Sequence, residues 1–375
     1  MNALMKLFDF GQSYWIDNLN RSMIRSGELQ KRVSEEGLRG MTSNPAIFNK
    51  AISKSDDYDD QIRELAGKGL TTEQIYEGLA VKDVQDACDI FKPVYEESQG
   101  LDGYVSLEVS PYLARHTEET MKEARHLFQL VDRPNLLIKI PGTKEGLPAV
   151  EQMLYEGINI NITLLFSITR YKEVARTYIK ALKRRDAEGK DLSKIASVAS
   201  FFVSRIDVLV DQLLKHRLLP DTKQDLKVLP GQLLGKIAVS NAKMAYHGFK
   251  KIFGSEEWQR LEDKGAKVQR PLWASTSNKT PEYSDVMYVE PFIGRHTVNT
   301  MPEETITAFA DHGQAVADSV EQNIEQDATY LKQLQEVGIN LNCVTQQLED
   351  EGIQKFIEPF KELIKSVAEK QKSLS

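Results

Sequence analysis

Lys139 lies in the run Asn135-Leu136-Leu137-Ile138-Lys139-Ile140-Pro141-Gly142, an apolar stretch that offers an ammonium group no obvious place. A charged amine buried without a partner is expensive, and it ordinarily responds by a fall in pKa that leaves it neutral. A neutral amine attacks carbonyl carbon and forms a Schiff base. The alternative is a strand lysine with a buried stem, its head reaching solvent or pairing with Glu108. Asp17 and Glu108 sit at the ends of apolar runs of their own. Schiff-base chemistry needs several proton transfers, and two carboxylates in different surroundings can divide them. Read more plainly, they are ordinary acids, one of them salt-bridged to Lys139. Asn161 and Thr163 are two residues apart, so on a strand their side chains face the same way. They point either into a pocket or into a hydrogen-bonded polar patch of a core.

Positioning these groups requires strands, and eight candidates are legible: 14–17, 38–42, 104–108, 136–140, 158–163, 195–200, 268–274 and 286–290. Continuous apolar runs such as LLIKI and ININITLLF suit parallel strands buried on both faces. The segments between them read as helices. Residues 203–219 carry Ile206, Leu209, Val210, Leu213 and Leu214 at helical spacing, and 112–130 and 356–367 are amphipathic as well. Pro302 followed by two glutamates marks a helix start. The long connections 45–103 and 205–267 are rich in helix formers and are expected to hold inserted helices, with a C-terminal helical extension over 303–375. Strands alternating with helices predict an α/β chain, a (β/α)8 barrel forming one domain over 1–375. The competing doubly wound sheet would show a Gly-rich phosphate turn after an early strand, and none is present.

In such a barrel, chemistry sits where strands end. The candidate ends carry Asp17, Thr42-Ser43-Asn44-Pro45, Glu108, Lys139, Asn161 with Thr163, Ser200 with Arg205, and the stretch from Ser275 to Lys279. Other motifs fail. Gly231–Ile237 has the wrong spacing for a phosphate loop and reads as a loop into a helix. The six histidines show no HxH or HExxH spacing, which argues against a zinc site, and there is no GxSxG elbow.

Composition narrows the class. With 48 basic and 55 acidic residues the chain carries a net charge of −7, which argues against coating nucleic acid or an anionic membrane. No apolar stretch reaches the ~20 residues of a membrane span, and the N-terminus lacks an apolar core of signal-peptide length. Two cysteines, Cys88 and Cys343, make no disulfide framework and fit inert thiols in a reducing cytoplasm. Nothing marks an interface, and a homo-oligomer remains compatible with the sequence.

MTSNPAIF (41–48), SLEVSP (106–111), LLIKIPGT (136–143), INITLLFS (160–167) and ASFFVSRID (199–207) closely resemble the transaldolase family. The resemblance runs in order from about residue 13 to at least 302, and QLEDEGIQKF (347–356) resembles the end of its long members. It implies a (β/α)8 barrel needing no metal and no organic cofactor. The implied activity moves a dihydroxyacetone unit from fructose 6-phosphate or sedoheptulose 7-phosphate to erythrose 4-phosphate or glyceraldehyde 3-phosphate, in the non-oxidative pentose phosphate pathway. By the same resemblance Lys139 matches the Schiff-base lysine. Asp17 matches the acid/base that takes the C4 hydroxyl proton, and Glu108 and Thr163 match the pair that holds a catalytic water. Asn44, Asn161 and Ser200 match the groups that bind the hydroxyls of the three-carbon unit. Arg205 matches a phosphate-binding arginine. Where shorter members carry a second such arginine this chain has Ser277, and Lys279 is the candidate to supply the charge. Phe202 stands where related fructose 6-phosphate aldolases have Tyr. A phenyl ring cannot donate a proton, which favours transfer over release of dihydroxyacetone. A barrel kept as a non-catalytic scaffold is the third reading.

Overall fold

Eight parallel strands close into a barrel in chain order, β1 (Gln12–Asp17), β2 (Gly40–Thr42), β3 (Tyr104–Glu108), β4 (Leu136–Pro141), β5 (Ile160–Leu165), β6 (Ser197–Phe202), β7 (Arg270–Ala274) and β8 (Thr297–Met301). β8 returns to pair with β1. The computed structural model describes residues 3–218 and 228–374. Nearly every strand residue is buried, because the strands face the barrel interior on one side and helices on the other. The expected (β/α)8 architecture is therefore the one observed.

Extra helices follow β2 and β6. After β2 come Pro45–Ser53, Asp59–Gly67 and Thr72–Glu97, the last opened by a capping box between Thr71 and Gln74. After β6 come Ser204–Arg217, Val228–Leu233, Ile237–Phe253 and Glu256–Glu262; residues 219–227 of the expected insertion lie outside the described residues. The Gly231 motif falls in and just after the short second helix. The chain closes with Glu303–His312, Ile324–Glu336 and a 34-residue helix, Leu341–Leu374.

One strand was misassigned from sequence. The eighth strand is Thr297–Met301, not 286–290. Val286, Tyr288 and Val289 are buried, which explains their strand-like pattern, but they form a turn that runs into the short 3-10 segment Glu290–Phe292, where Pro291 cannot donate to a sheet ladder. The true strand reads TVNTM and looks polar. Its Thr297, Asn299 and Thr300 are nevertheless buried, and Asn299 donates to the Tyr288 carbonyl at 3.3 Å. β6 also extends two residues beyond the expected end, so Ser200 lies within the strand.

The amino-terminal end of the barrel is tied by one carboxylate. Asp102 accepts from Ser13 at 2.7 Å, Arg39 at 2.9 Å, Arg270 at 2.9 Å and the Trp15 indole at 3.2 Å. Arg270 also donates to the Thr297 carbonyl, so the cluster joins β1, β7, β8 and the approaches to β2 and β3. Burial works to raise the Asp102 pKa, but Arg270 and Arg39 outweigh it and hold the carboxyl below its usual range. Replacing Asp102 with Ala strands the buried Arg270 and is expected to cost about 3–5 kcal/mol. Urea unfolding checks this: a midpoint unchanged from the parent would show that the cluster is dispensable.

Candidate active site

β3 and β4 bring the central pair together, with Glu108 and Lys139 in register. Lys139 Nζ donates to Glu108 Oε2 at 3.3 Å and to the Ser43 carbonyl at 3.2 Å. The two side chains are 6% and 5% exposed. Lys139 is thus buried, as its apolar context suggests, and it is also paired with Glu108. Burial pushes the Glu108 carboxyl up to about 7, against the opposing pull of Lys139.

Asp17 ends β1 beside this pair. It accepts from Thr42 Oγ1 at 2.7 Å, and the same hydroxyl lies 2.7 Å from Thr300 Oγ1. Thr42 has one proton and gives it to Asp17, so Thr300 is the donor of the second bond. Burial raises the Asp17 pKa, while Lys139, the Thr42 hydrogen bond and Arg205 work against it. One carboxyl bonded to the lysine and a second within reach of its charge, each disfavoured as an anion by burial, is an arrangement suited to proton transfer.

β5 and β6 supply neutral groups. Asn161 donates to Ser106 Oγ at 3.0 Å and accepts from Ser200 Oγ at 2.6 Å. The first bond passes over β4, which puts Asn161 inside the barrel. Thr163, two residues on, is fully buried. Its Oγ1 and Glu108 Oε1 have no hydrogen-bond partner among the described residues, and neither does Arg205 Nη1. Unsatisfied buried polar atoms cost about 1–3 kcal/mol each, and these three are available to a ligand. Arg205 begins the helix after β6, with its guanidinium 5.4 Å from the centre of the Phe202 ring. Asn44 caps the helix Pro45–Ser53 by accepting from the Ile47 amide at 3.1 Å, which leaves its Nδ2 free to donate elsewhere. Lys279 stands apart from the others. It is exposed, bonds to Ser277 and borders an outer depression with Asp211 and Lys215.

A cavity of about 480 Å³ opens beside the lysine, not over it. Ser43, Asn44, Glu108, Tyr76 and Phe360 are in its wall. Over the lysine lies the C-terminal helix. The Phe356 ring centre is 5.3 Å from Lys139 Nζ, and Glu351 lies close enough to Arg205 to act on its charge. A methyl on Gly352 would come 3.1 Å from Leu164 Cδ2, so the helix sits tightly on the end of β5. Phe360 packs edge-on against Tyr76 and Tyr112.

Several of these residues were not singled out from sequence. Thr42 and Ser43 stand among the polar strand-end groups and Ser106 opens the SLEVSP motif, but the sequence assigns none of them a role. Thr300 was lost with the misplaced strand, although a strand ending at Pro302 was a usable signal. Phe356 belongs to an amphipathic stripe and closes the 347–356 motif, and neither gives it a place in the site. Among the described residues no three His, Cys, Asp or Glu side chains converge in a way that could hold a metal ion, and no helix is long and apolar enough to cross a membrane.

Fold and site define a (β/α)8 barrel with a buried, carboxylate-paired lysine at the carboxyl ends of its strands, the layout of a barrel enzyme that acts on carbonyl carbon. Comparison with known proteins narrows this class. The family model described as Transaldolase/Fructose-6-phosphate aldolase matches residues 14–367. A protein of Trichodesmium erythraeum named Transaldolase is 51% identical, covering 100% of this chain and 99% of its own. A Nostoc sp. protein named Transaldolase 2 is 50% identical over the same shares, and a Thermobifida fusca Transaldolase is 44% identical over 98% of each chain. The chain belongs to the transaldolase/fructose-6-phosphate aldolase family.

The raised Glu108 pKa has a consequence for stability. Between the ordinary value of 4.5 and about 7 the folded protein keeps this proton while the unfolded chain has lost it. Ionising Glu108 in the fold is therefore unfavourable, and its contribution makes stability fall as pH rises through that window. Glu108→Gln removes this contribution. Urea unfolding at about pH 5 and about pH 8 should show the variant losing less stability with rising pH than the parent. Identical losses would mean that Glu108 ionises normally.

Proposed function

We propose that the chain is a transaldolase that acts through a Schiff base on Lys139. The observation that carries this reading is the lysine itself, buried at the barrel mouth and held between Glu108 and the Ser43 carbonyl. Full-length similarity to proteins named Transaldolase supports it. The substrates are sugar phosphates. A three-carbon dihydroxyacetone unit passes from fructose 6-phosphate or sedoheptulose 7-phosphate to erythrose 4-phosphate or glyceraldehyde 3-phosphate, a step of the non-oxidative pentose phosphate pathway. The two free thiols suit a reducing cytoplasm.

Lys139 adds to the C2 carbonyl, and loss of water leaves a protonated imine that acts as an electron sink. Glu108 and Thr163 serve the water that leaves and later returns. Their unpartnered oxygens, Oε1 and Oγ1, are the atoms that would hold it. Asp17 takes the C4 hydroxyl proton as the C3–C4 bond breaks, and its raised pKa keeps that proton available for the acceptor. The electron pair of the broken bond becomes an enamine, still covalently attached to Lys139. Asn44, Asn161 and Ser200 hold its hydroxyls, which is catalysis by positioning. Arg205, with a buried unpartnered Nη1, takes the phosphate. Lys279, exposed on the loop after β7 and bonded to Ser277 beside an outer depression, is the proposed second phosphate contact, a point charge that serves the site only by swinging in from that position.

Incubation with fructose 6-phosphate followed by borohydride should leave a three-carbon adduct on Lys139, located by peptide mass spectrometry. Lys139→Ala should fold, take no label and show no turnover. Retained turnover would refute the mechanism. Arg205→Ala should raise KM for phosphorylated donors roughly ten- to hundredfold, the worth of a charge-assisted hydrogen bond, and leave free dihydroxyacetone little affected. Equal losses for both would remove Arg205 from the phosphate site.

A further inference from the structure

The proposed chemistry holds an enamine on Lys139 until an aldehyde arrives, and that intermediate has two fates. Its C3 can attack the acceptor carbonyl: a C–C bond forms, the new alkoxide takes a proton from Asp17, and the imine is regenerated. Or water can deliver a proton to C3. A C–H bond then forms, the enamine electron pair is consumed, and water adding to C2 displaces the lysine amine and frees dihydroxyacetone. A group that keeps water off C3 while admitting it near Glu108 decides between them.

We propose that Phe356, carried by the C-terminal helix, is that group, and that it sets the ratio of transfer to release; the inference rests on the function proposed above. The residue is 7% exposed, and its ring centre lies 5.3 Å from Lys139 Nζ. Phe202 is placed differently, against Arg205 and 5.4 Å from the Phe166 ring. The side cavity, with room for water, is walled by Glu108, Ser43 and Asn44, but its wall does not include Lys139, Asp17 or Thr163. Water thus has a route to the carboxylate that manages the carbinolamine, while the lysine is covered by an apolar ring. The ring face also suits a cation, so it favours the protonated imine without offering a proton of its own.

The close seat of the helix makes this cover firm. Gly352 lets it approach Leu164, and Phe360, one turn beyond Phe356, is wedged between Tyr76 and Tyr112. Polar ties lie on either side of Phe356: Asp350 pairs with Arg115, and Lys370 pairs with Asp59 at 2.6 Å.

The test uses the full-length protein and fructose 6-phosphate. Release of free dihydroxyacetone is measured without acceptor, and transfer with erythrose 4-phosphate. Phe356→Ala should raise the ratio of release to transfer by roughly tenfold, with the Lys139 adduct still trapped by borohydride. Phe356→Leu, which restores apolar bulk, should stay near the parental ratio. If the alanine variant does not fold, Phe356→Val opens the same space with less loss of packing and carries the same expectation. An unchanged ratio in a folded small-side-chain variant overturns the role of Phe356. Absence of any Lys139 adduct in the parent overturns the proposed function instead.

Discussion

A lysine inside a barrel needs partners, and the architecture around Lys139 follows from that constraint. An ammonium group buried in an apolar strand is intolerable alone. Here β3 supplies a carboxylate in register and the turn after β2 supplies a carbonyl. The carboxylate then becomes the costly group. Burial raises its pKa, and Asp17 across the site is raised for the same reason. One cation paired with Glu108, its charge also felt by Asp17, thus stands among two carboxyls that burial disfavours as anions. That is a poor way to gain stability and a good way to run acid–base chemistry.

The neutral groups obey a second constraint. A polar side chain inside the barrel is costly unless another strand satisfies it, and Asn161 is satisfied by bridging Ser106 and Ser200. Such a bridge fixes the amide and the hydroxyls before any ligand arrives. Asn44 is fixed differently, by capping the helix that follows it. The site therefore stands on strand ends and a helix cap, which are rigid supports, and not on long loops. At the opposite end of the barrel Asp102 gathers two arginines and keeps the strands that carry these groups in place.

Much of this was legible in the sequence, and for a physical reason. Parallel strands buried on both faces leave continuous apolar runs, so seven strands could be found within a few residues of their true bounds, and a lysine or glutamate in such a run stands out. The eighth strand broke that rule. TVNTM is buried by hydrogen bonding more than by apolar character, whereas VMYVE at 286–290 is apolar because it packs as a turn. With it went Thr300, which supports the Asp17 hydrogen bond. Contacts between distant segments were hidden as well. Nothing in the spacing of Phe356 says that its stripe lies across Lys139 and not against the outside of the barrel.

That stripe shows why a barrel of this kind needs the far end of its own chain. Strand ends open onto solvent, and the proposed enamine would not survive in a site left open. A single helix crossing the mouth presents residues within two turns to the ends of neighbouring strands. Glu351 reaches the charge of Arg205, Gly352 meets the end of β5, and Phe356 meets Lys139 on β4. Each position asks for a different residue type: an acid facing an arginine whose Nη1 lacks a partner, a residue with no side chain where the Leu164 and Phe166 side chains press against the helix, and an apolar ring above a cation. The helix meets all three within six residues, which amphipathicity alone does not require. Cover of the mouth and electrostatic matching of its rim are thus properties of one segment, and Lys139 meets a ring more than two hundred positions away in the chain.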